Sequence, residues 1–301
     1  MTRIGFIGVG TMGLPMATNL VKKGFAVTAY DLNPEAVKAA AAAGMTAAAS
    51  AAEAVAGADL VITMLPSSPH VEVAYGGDGG VINAARKGTL CVDMSTIDPA
   101  ASRRVAAAAG ERGIRFLDAP VSGGTPRATD GTLAIMVGGS VEDFKAALPA
   151  LQAMGANVIH VGPVGSGEVA KLCNNLIAGV AAVAVSEAFR IAEGFGVDLK
   201  VVTEVISKSS GNTWLMEQMH PVPGIVARAA STNGYAPGFM TDLMCKDVGL
   251  AVDAARNLRI PLFVAPAAQQ VYRLASSHGL GRKDFTSVYS FLKPSADTAP
   301  V

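Results

Sequence analysis

The feature that most constrains the fold of this chain is a short apolar strand that leads into a glycine-rich turn and a helix. RIGFIG, Arg3–Gly8, reads as a buried strand, and its last glycine begins the run GVGTMG. In G-x-G-x-x-G the first glycine permits the turn, the second lets the backbone approach a pyrophosphate, and the third lets the helix pack on the strand. The helix N-terminus then offers N–H groups and a positive dipole end to the phosphates. The candidate cofactor contacts here are Gly8, Gly10, Thr11, Met12 and Gly13.

The second predicted strand, FAVTAYD, indicates which dinucleotide this turn binds. It ends at Asp31, 23 residues after Gly8. An acidic residue at this point accepts hydrogen bonds from the ribose hydroxyls and repels a 2′-phosphate. No arginine follows closely, so NAD is favoured over NADP. Small residues at a strand–helix turn also suit plain packing, but the strand, the helix and the acid together favour a cofactor site.

Two further strands end in residues that suit a ligand crevice. DLVITMLPSS, Asp59–Ser68, ends in a turn at Leu65 and Pro66, and TLCVDMST, Thr89–Thr96, ends in hydroxyl side chains. A helix is predicted from Asp98, because proline favours the first helical position. Ligands of open α/β sheets bind outside the carboxyl ends of the strands. We therefore add Leu65, Pro66 and Thr96 to the candidate cofactor contacts.

A glycine-rich turn after the next strand is a candidate anion site. This strand ends at Asp118, and Ser122-Gly123-Gly124 follows Pro120. Two glycines after a serine let successive N–H groups turn inward, with the hydroxyl as an extra donor, which suits a carboxylate. An ordinary turn between strands is the other interpretation of these residues.

The alternation of strands and helices stops near Gly162–Gly165. We predict an α/β fold with an N-terminal Rossmann-like dinucleotide-binding domain, residues 1–163, joined by a long helix to an all-α C-terminal domain, residues 164–301. Prolines and glycines keep the segment His220–Gly238 from being a helix, and the tail after Ser295 is expected to fray. The predicted elements that close the sheet are Leu133–Val137, Val141–Met154 and Asn157–Val161, and the later helices are Leu199–Lys208, Phe239–Arg256 and Pro261–His278.

The long predicted helix, Gly167–Ala192, carries a lysine that packing alone does not explain. Leu176–Val185 has no polar side chain, which predicts a helix buried in protein. Lys171 and Asn175 lie at the start of this run, and positions four apart share one face of a helix. Loss of hydration lowers the pKa of an amine toward the range useful for proton transfer. The alternative is a lysine that merely ends the buried stretch with its charge in water.

Composition excludes several other classes of function. Net charge is zero, with 24 basic and 24 acidic residues, and aromatic residues make up only 5%. A nucleic-acid surface would require a basic stripe and stacking rings, so no nucleic-acid partner is expected. Mean hydropathy is high at +0.39, but no apolar run is expected to be long enough to cross a membrane.

The cysteines and histidines indicate neither disulfides nor a metal. Cys91, Cys173 and Cys245 have no C-x-x-C spacing and are expected to be buried reduced thiols of a cytoplasmic protein. The four histidines are too scattered to predict a metal site. Strand-like sequence begins at Arg3, which leaves no room for a signal or transit peptide, so the protein is expected to be cytoplasmic or to have had its leader removed.

The order of these motifs resembles that of the β-hydroxyacid dehydrogenase family over nearly the whole chain. GFIGVGTMGLPMATNL resembles the cofactor signature, DAPVSGG the substrate-binding segment, GSGEVAKLCNNLIAG the catalytic segment and KDVGLA the second cofactor segment. Four ordered motifs are far more specific than one. Within the family, KLCNN, SSGNTW, the PVPG and STNGY loop and KDFTSV resemble the members that oxidise 3-hydroxyisobutyrate in valine catabolism.

The resemblance implies a role for each residue that matches a family motif. Lys171 is the implied acid/base, and Asn175 helps to hold the substrate. The implied carboxylate site is Ser122, Gly123 and Gly124, whereas Lys246 reaches the nicotinamide. The active site is then expected in the cleft between the two domains. The loop at residues 125–130 differs from some relatives, and no role is assigned to it.

The implied activity is NAD-dependent oxidation of (S)-3-hydroxyisobutyrate to methylmalonate semialdehyde. One methyl group in an apolar pocket changes binding by only ~1–3 kcal/mol, so serine, glycerate or tartronate semialdehyde is an alternative substrate. A non-catalytic NAD(H)-binding sensor is a remote alternative, since a sensor has no need of Lys171 and Asn175. The apolar helix also suits a subunit contact, so a homodimer or homotetramer is expected.

Overall fold

The computed structural model describes residues 2–293. The chain divides into two compact units, Met1–Lys171 and Leu172–Val301. The division falls inside the long helix, after the boundary predicted between residues 163 and 164, which stays a prediction. The tail after Ser295, for which fraying is expected, lies outside the described residues.

The N-terminal unit alternates strands with helices as predicted. Its strands are β1 Arg3–Ile7, β2 Ala26–Tyr30, β3 Thr46–Ala47, β4 Leu60–Thr63, β5 Leu90–Asp93, β6 Arg115–Asp118, β7 Val121–Ser122, β8 Leu133–Gly138 and β9 Gly155–Gly162. Its helices are α1 Gly13–Lys22, α2 Pro34–Ala42, α3 Ala51–Val55, α4 Ser68–Gly76, α5 Val81–Ala84, α6 Pro99–Glu111, α7 Gly124–Asp130 and α8 Val141–Met154. The α/β prediction for this unit is confirmed.

The nine strands form one sheet in the order β3-β2-β1-β4-β5-β6-β8-β7, with β9 paired to β8. The strands from β1 to β6 are parallel, and β8 is antiparallel to β6 and β7. The order in which strands are added to the sheet reverses at β1, which has β2 on one side and β4 on the other. Such a switch point opens a ligand crevice at the carboxyl ends of the strands.

The register places the last residues of five strands in one row. Ile7 is the neighbour of both Tyr30 and Thr63, Thr63 is the neighbour of Asp93, and Asp93 that of Asp118. The central strands β1, β4, β5 and β6 are buried on both faces, as parallel strands covered by helices are. The crevice edge therefore turns from apolar at β1 to polar at β4, β5 and β6.

The C-terminal unit is helical, as predicted, over the part of the chain that the structure describes. The helix α9, Ser166–Gly194, begins in the N-terminal unit and continues into the C-terminal unit. The C-terminal unit also contains an isolated β-bridge between Met240 and Asp284. Its other helices are α10 Leu199–Ser207, α11 Trp214–Gln218, α12 Thr241–Asn257, α13 Val264–Ala275 and α14 Val288–Phe291, with a kinked π turn at Ser276–Leu280 and 3₁₀ turns at Ala230–Asn233 and Phe285–Ser287.

Helix α9 corrects one expectation about length. Within residues 2–293 it is the one helix long and apolar enough to cross a membrane by length and composition, with a mean hydropathy of 1.6 in its most apolar window. Core helices of soluble proteins pass the same test, and 44% of that window is buried within the protein. The apolar run predicted from the sequence, Leu176–Val185, is shorter because it was ended at the nearest polar residue on each side.

Two smaller expectations are also wrong. Thr125–Asp130 is not a loop, because α7 covers Gly124–Asp130 and ends at Gly131 in a left-handed conformation. The three thiols are free, but only Cys91 is buried, whereas Cys173 is exposed and Cys245 half-buried. Cys173 is exposed because it lies on the outer side of α9.

Candidate functional site

The three glycines of the β1–α1 turn have different structural roles. Gly8 has φ +92°, and a Cβ there would lie 2.2 Å from the carbonyl oxygen of Met64. A Cβ on Gly13 would lie 1.8 Å from the carbonyl oxygen of Gly8, so α1 packs on β1 only without a side chain at this point. A Cβ on Gly10 would meet nothing within 4 Å. Packing therefore requires Gly8 and Gly13, whereas the backbone at Gly10 faces open space that a phosphate group can occupy.

Helix α1 presents its N-terminus at this turn. No side chain caps its first N–H groups at Met12, and its first turn contains no acidic residue. Those N–H groups and the helix dipole favour an anion. Thr11 and Met12 lie in the turn itself, as predicted.

Asp31 follows β2 at the same edge of the sheet. One carboxylate oxygen accepts a 2.8 Å hydrogen bond from the backbone N–H of Asn33, and the Asn33 side chain caps α2. This local turn fixes the carboxylate at the strand end. The arrangement suits an acceptor for ribose hydroxyls.

The turns after β4 and β5 are joined by hydrogen bonds around one buried carboxylate. Asp93 accepts bonds from the Thr63 hydroxyl at 2.7 Å and from the Ser95 hydroxyl at 2.6 Å. The Ser95 hydroxyl oxygen in turn accepts the backbone N–H of Leu65 at 2.8 Å. Thr96 lies directly after Ser95, so this network fixes the backbone at two of the candidate cofactor contacts. Pro66, the third, follows Leu65 in the same turn.

Burial raises the pKa of Asp93 to about 6. Loss of hydration is the largest cause, the hydrogen bonds from Ser95 and Thr63 oppose it, and the charge of Asp118 adds to it. Asp93 is fully buried, and its second oxygen has no hydrogen-bond partner among the described residues. The side chain therefore positions other groups rather than contacting a ligand from the surface.

The turn at Ser122–Gly124 joins the end of β7 to the start of α7. Gly123 has φ +137° and Gly124 has φ +64°, values that favour glycine. Helix α7 is joined to α1 by the Asn19 amide, which donates a 2.8 Å hydrogen bond to the Ala128 carbonyl oxygen. The Thr125 hydroxyl also lies 3.9 Å from the Met12 sulfur. The candidate carboxylate site and the candidate phosphate site thus lie beside each other in one unit.

Asp118, the last residue of β6, contacts the helix that carries Lys171. Its two oxygens accept the backbone N–H groups of Gly165 at 2.7 Å and Glu168 at 3.0 Å, so the carboxylate caps the start of α9. A Cβ on Gly167 would lie 2.3 Å from the Met136 carbonyl oxygen, which shows how closely α9 approaches the sheet. Burial raises the pKa of Asp118, and the backbone N–H groups oppose that shift.

Glu168 fixes the first turn of α9 from its other side. It is fully buried, and one of its oxygens accepts the backbone N–H of Ile97, next to Thr96, at 3.1 Å. Lys171 follows three residues later and is only 5% exposed. The interpretation of Lys171 as a residue that extends into solvent is therefore wrong. Its position is set by Asp118 and Glu168, which hold the turn before it.

Asn175, one turn further along α9, belongs to a buried polar network of the C-terminal unit. Its amide nitrogen donates a 2.5 Å hydrogen bond to Asp247, and its amide oxygen accepts one from Asn174 at 2.9 Å. The Lys246 ammonium lies 3.1 Å from the other oxygen of Asp247. Asn175 is 4% and Asp247 1% exposed. The network fixes the orientation of the Asn175 amide.

Four acidic residues of these arrangements were not among the sequence candidates: Asp93, Asp118, Glu168 and Asp247. Asp247 lies in the motif KDVGLA, but only Lys246 was chosen from it. An acid that faces an apolar helix core is a usable signal, because buried carboxylates need partners. Within residues 2–293 no group of three or more His, Cys, Asp or Glu side chains is arranged to hold a metal ion.

Family models match both parts of the chain. Residues 3–162 match the NAD binding domain of 6-phosphogluconate dehydrogenase. Residues 165–292 match a model described as NAD-binding of NADP-dependent 3-hydroxyisobutyrate dehydrogenase.

Individual proteins are similar over nearly the full length. An NAD-dependent L-serine dehydrogenase of Pseudomonas aeruginosa is 45% identical over 98% of this chain and 99% of its own length. The mitochondrial 3-hydroxyisobutyrate dehydrogenase of Homo sapiens is 42% identical over 97% of this chain and 87% of its own length. A solved structure of Mycobacterium tuberculosis 3-hydroxyisobutyrate dehydrogenase with L-serine superposes with a TM-score of 0.93, at 41% identity, over 98% of this chain and 100% of that chain.

The cofactor is NAD, as predicted. The residues of the N-terminal unit fit it: the open space at Gly10 and the α1 N-terminus suit the pyrophosphate, and Asp31 suits the ribose hydroxyls.

Proposed function

Because the chain belongs to the β-hydroxyacid dehydrogenase family, we propose that it oxidises (S)-3-hydroxyisobutyrate to methylmalonate semialdehyde. Lys171 is the acid/base of this proposal. The observation that carries it is the position of Lys171: a buried amine on a helix turn anchored by Asp118, four residues before Ser122. One buried carboxylate thus positions the start of the helix that carries the proposed proton-transfer group.

Each step of the proposed reaction has a residue. The Ser122 hydroxyl and the N–H groups of Gly123 and Gly124 bind the substrate carboxylate. Asn175, oriented by Asp247, holds the substrate through its amide. Neutral Lys171 accepts the hydroxyl proton, and in the reverse direction protonated Lys171 polarises the aldehyde and returns the proton. NAD, when bound, would accept the hydride that leaves C3 of the substrate.

L-Serine is a second candidate substrate, because one similar protein is named for it and one similar structure contains it. The two substrates share the carboxylate and the CH₂OH group. They differ at C2, where serine has an ammonium group and 3-hydroxyisobutyrate has a methyl group. An apolar environment at C2 would reject an unpaired ammonium strongly, whereas one with an acidic acceptor would bind it.

The substrate is tested by following NADH formation at mildly alkaline pH. The panel is both enantiomers of 3-hydroxyisobutyrate, L-serine, D-glycerate and 3-hydroxypropionate, each with NAD and with NADP. We expect the largest kcat/KM for (S)-3-hydroxyisobutyrate with NAD. A larger kcat/KM for L-serine would replace the substrate and keep the mechanism. No turnover with any of them, while NADH still binds, would favour the sensor alternative.

The role of Lys171 is tested by Lys171→Ala. General acid–base catalysis contributes ~10²–10⁴-fold, so kcat should fall by about that factor while the affinity for NADH, measured by fluorescence, stays the same. Added methylamine should restore part of kcat, because a small amine can occupy the space left by the lysine side chain and accept the proton. The matched control is Lys208→Ala, an exposed lysine paired with Glu204. Retention of most activity in Lys171→Ala would remove Lys171 from the mechanism.

A further inference from the structure

Two buried side chains of opposite charge lie one turn apart at the start of α9. Glu168 is fully buried, and Lys171 is only 5% exposed. Both belong to the N-terminal unit. Positions three apart on a helix share one side, with about 5–6 Å between their Cβ atoms. A buried charge is costly unless a partner offsets it, so the two groups are candidates for a charge pair.

The hydrogen bond that Glu168 accepts does not by itself require a negative charge. One of its oxygens accepts the backbone N–H of Ile97 at 3.1 Å. An uncharged glutamine at this position would accept the same hydrogen bond through its amide oxygen. The N-terminus of α9 favours a negative charge here, since Glu168 lies in the first turn of the helix. That N-terminus, however, also binds a second carboxylate.

Asp118 already uses the N-terminus of α9. Its two oxygens accept the backbone N–H groups of Gly165 at 2.7 Å and Glu168 at 3.0 Å. The helix dipole is equivalent to roughly half an elementary positive charge, which does not offset two carboxylates. A further positive charge is therefore needed beside Glu168, and Lys171 supplies one in its ammonium form.

The neighbouring elements of the N-terminal unit place acids and an exposed arginine near this turn. Asp93 of β5 is a buried acid beside Asp118 in the sheet, and Asp98 caps its own helix α6. Arg103 of α6 is exposed, and its Nε atom donates a 3.3 Å hydrogen bond to the Val164 carbonyl oxygen. The acids add to the need for a buried cation, and water screens the charge of the arginine.

The charged groups beside the next turn of α9 belong to the C-terminal unit. Asp247 of α12 accepts the hydrogen bond of the Asn175 amide, and the Lys246 ammonium lies 3.1 Å from the same carboxylate. These two charges offset each other. Lys171 and Glu168 thus form a second set of opposite charges on the same helix, one turn before Asn175.

We propose that Glu168 holds Lys171 in its ammonium form and so sets the pH at which Lys171 accepts the hydroxyl proton, a role that rests on the proposed function. Glu168 is a positioning residue, because it acts through Lys171 and does not itself contact the substrate. Oxidation requires the neutral amine and is therefore favoured at alkaline pH. Reduction uses the ammonium form, which the carboxylate stabilises.

The charge is tested by Glu168→Gln, which keeps an acceptor for the Ile97 N–H. kcat/KM is measured against pH for oxidation and for reduction. The acid limb of oxidation should move to lower pH by about one unit or more, equivalent to about a tenfold change in proton affinity. The alkaline limb of reduction should move equally, because the same amine donates the proton. A role in folding alone would lower kcat/KM by one factor at every pH and leave both limbs in place.

Two further variants separate charge from shape. Glu168→Asp keeps the charge and shortens the side chain, so both limbs should move less far than in Glu168→Gln. The matched control is Glu187→Gln, which removes an exposed carboxylate from the same helix. Its limbs should stay at the wild-type pH, because a charge in water is screened. Equal shifts in Glu168→Gln and Glu187→Gln would assign the effect to the general field of α9 and overturn the pairing.

The pair is also tested without turnover, by denaturant unfolding near neutral pH. Lys171→Met leaves Glu168 as a buried charge without its proposed partner and should lower the unfolding midpoint strongly. In that background Glu168→Gln removes the charge and should raise the midpoint. In the wild type the same substitution should lower it. This reversal of sign is expected only when the two groups interact.

Unmoved pH limbs in Glu168→Gln, or the same change of unfolding midpoint in both backgrounds, would overturn the pairing. The unfolding measurements need no substrate, so they separate the pairing from the proposed reaction. Reversal of sign without turnover of any hydroxy acid would keep the pair and reject the reaction, whereas turnover with additive effects would do the opposite. If Glu168→Gln alone gives no soluble protein, recovery on adding Lys171→Met supports the pair, and continued loss rejects it.

Discussion

In the N-terminal unit the candidate ligand contacts depend on backbone conformation, whereas in the C-terminal unit they depend on hydrogen bonds between side chains. The β1–α1 turn is set by Gly8 and Gly13, whose missing side chains allow two close approaches. Asn175 is instead set by Asp247, 72 residues away along the chain. The first kind of site is formed by residues that are neighbours in the sequence, whereas the second forms only when helices distant in sequence pack together.

This difference predicts different responses to mutation. A methyl group added to the wrong glycine should disrupt the N-terminal unit as a whole, because the backbone cannot move without separating a helix from the sheet. Truncation of one polar side chain in the C-terminal unit should leave the fold and alter the orientation of a neighbour. The following four changes test this contrast.

The largest effect is expected for Gly13→Ala. The new Cβ would lie 1.8 Å from the Gly8 carbonyl oxygen, so α1 would have to leave β1. We expect a loss of about 3–4 kcal/mol in the free energy of unfolding, or no soluble protein, measured by denaturant titration.

The matched control is Gly10→Ala, whose Cβ would meet nothing within 4 Å. It should unfold at the wild-type denaturant concentration and bind NADH at least tenfold more weakly, because the methyl group occupies the space of the pyrophosphate. Wild-type affinity for NADH in Gly10→Ala would show that the phosphates do not approach this residue.

The second effect is a pH-dependent one at Asp93, where side chains rather than glycines fix the sheet edge. Its pKa is raised from 3.8 to about 6 in the folded protein, so well below pH 4 the carboxyl is protonated in both states and costs no stability. As the pH rises from 4 through 6, the unfolded state ionises first and the folded state loses stability. The loss in the free energy of unfolding over this pH interval amounts to ~3 kcal/mol.

Asp93→Asn removes this ionisation with little change of shape. The stability of the variant relative to the wild type should therefore rise between pH 4 and pH 6 and stay constant above pH 7. Thermal unfolding at closely spaced pH values measures this difference. A constant difference from pH 4 to pH 8 would mean that Asp93 is ionised at its ordinary pKa or hydrated.

These contrasts also explain what the sequence could predict. The alternation of strands and helices, the glycine turn and α9 followed from patterns of neighbouring residues, and α9 differs from its predicted bounds only slightly, Ser166–Gly194 against Gly167–Ala192. Each of these features depends on interactions that are short in sequence. The resemblance to a family added Lys246 and the role of Lys171.

The residues that were missed depend on pairs distant in sequence. Asp118 meets Gly165, and Glu168 meets Ile97, across 47 and 71 residues. The hydrophobic pattern of the sequence does not indicate that a given acidic side chain accepts a hydrogen bond from a distant backbone N–H, since the same acid could lie at the surface. Helix α7 was missed for another reason, because its short sequence GTPRATD begins with glycine and contains proline, both typical of turns.

The third effect is expected for Asp247→Ala in the C-terminal unit. Its loss removes the acceptor of the Asn175 amide, and a buried unpaired donor costs about 1–3 kcal/mol. We expect a moderate loss of stability and a rise of about tenfold in KM for the hydroxy acid, measured with NAD at saturation.

Asp247→Asn separates orientation from folding, because its amide oxygen can still accept the hydrogen bond. Its KM should be close to that of the wild type, whereas a purely structural role of Asp247 would predict that the variant regains stability but not the wild-type KM. Asp253→Ala is the control on the same helix, since Asp253 is exposed and paired with Arg256. Equal KM values in Asp247→Ala and the control would separate Asp247 from the substrate.

The smallest effect concerns Asp31, which acts on the choice of cofactor and not on the fold. Its carboxylate lies at the end of β2, where it would repel a 2′-phosphate. Asp31→Ala should lower kcat/KM with NAD and raise it with NADP, so that the ratio of the two falls by about 10-fold, equivalent to ~1.4 kcal/mol. Stability should change little, because only one hydrogen bond to the Asn33 N–H is lost. Glu35→Ala, an exposed acid in the first turn of α2, controls for the loss of a negative charge. If both variants shifted the ratio equally, the general field of this edge would select NAD, and the contact assigned to Asp31 would be wrong.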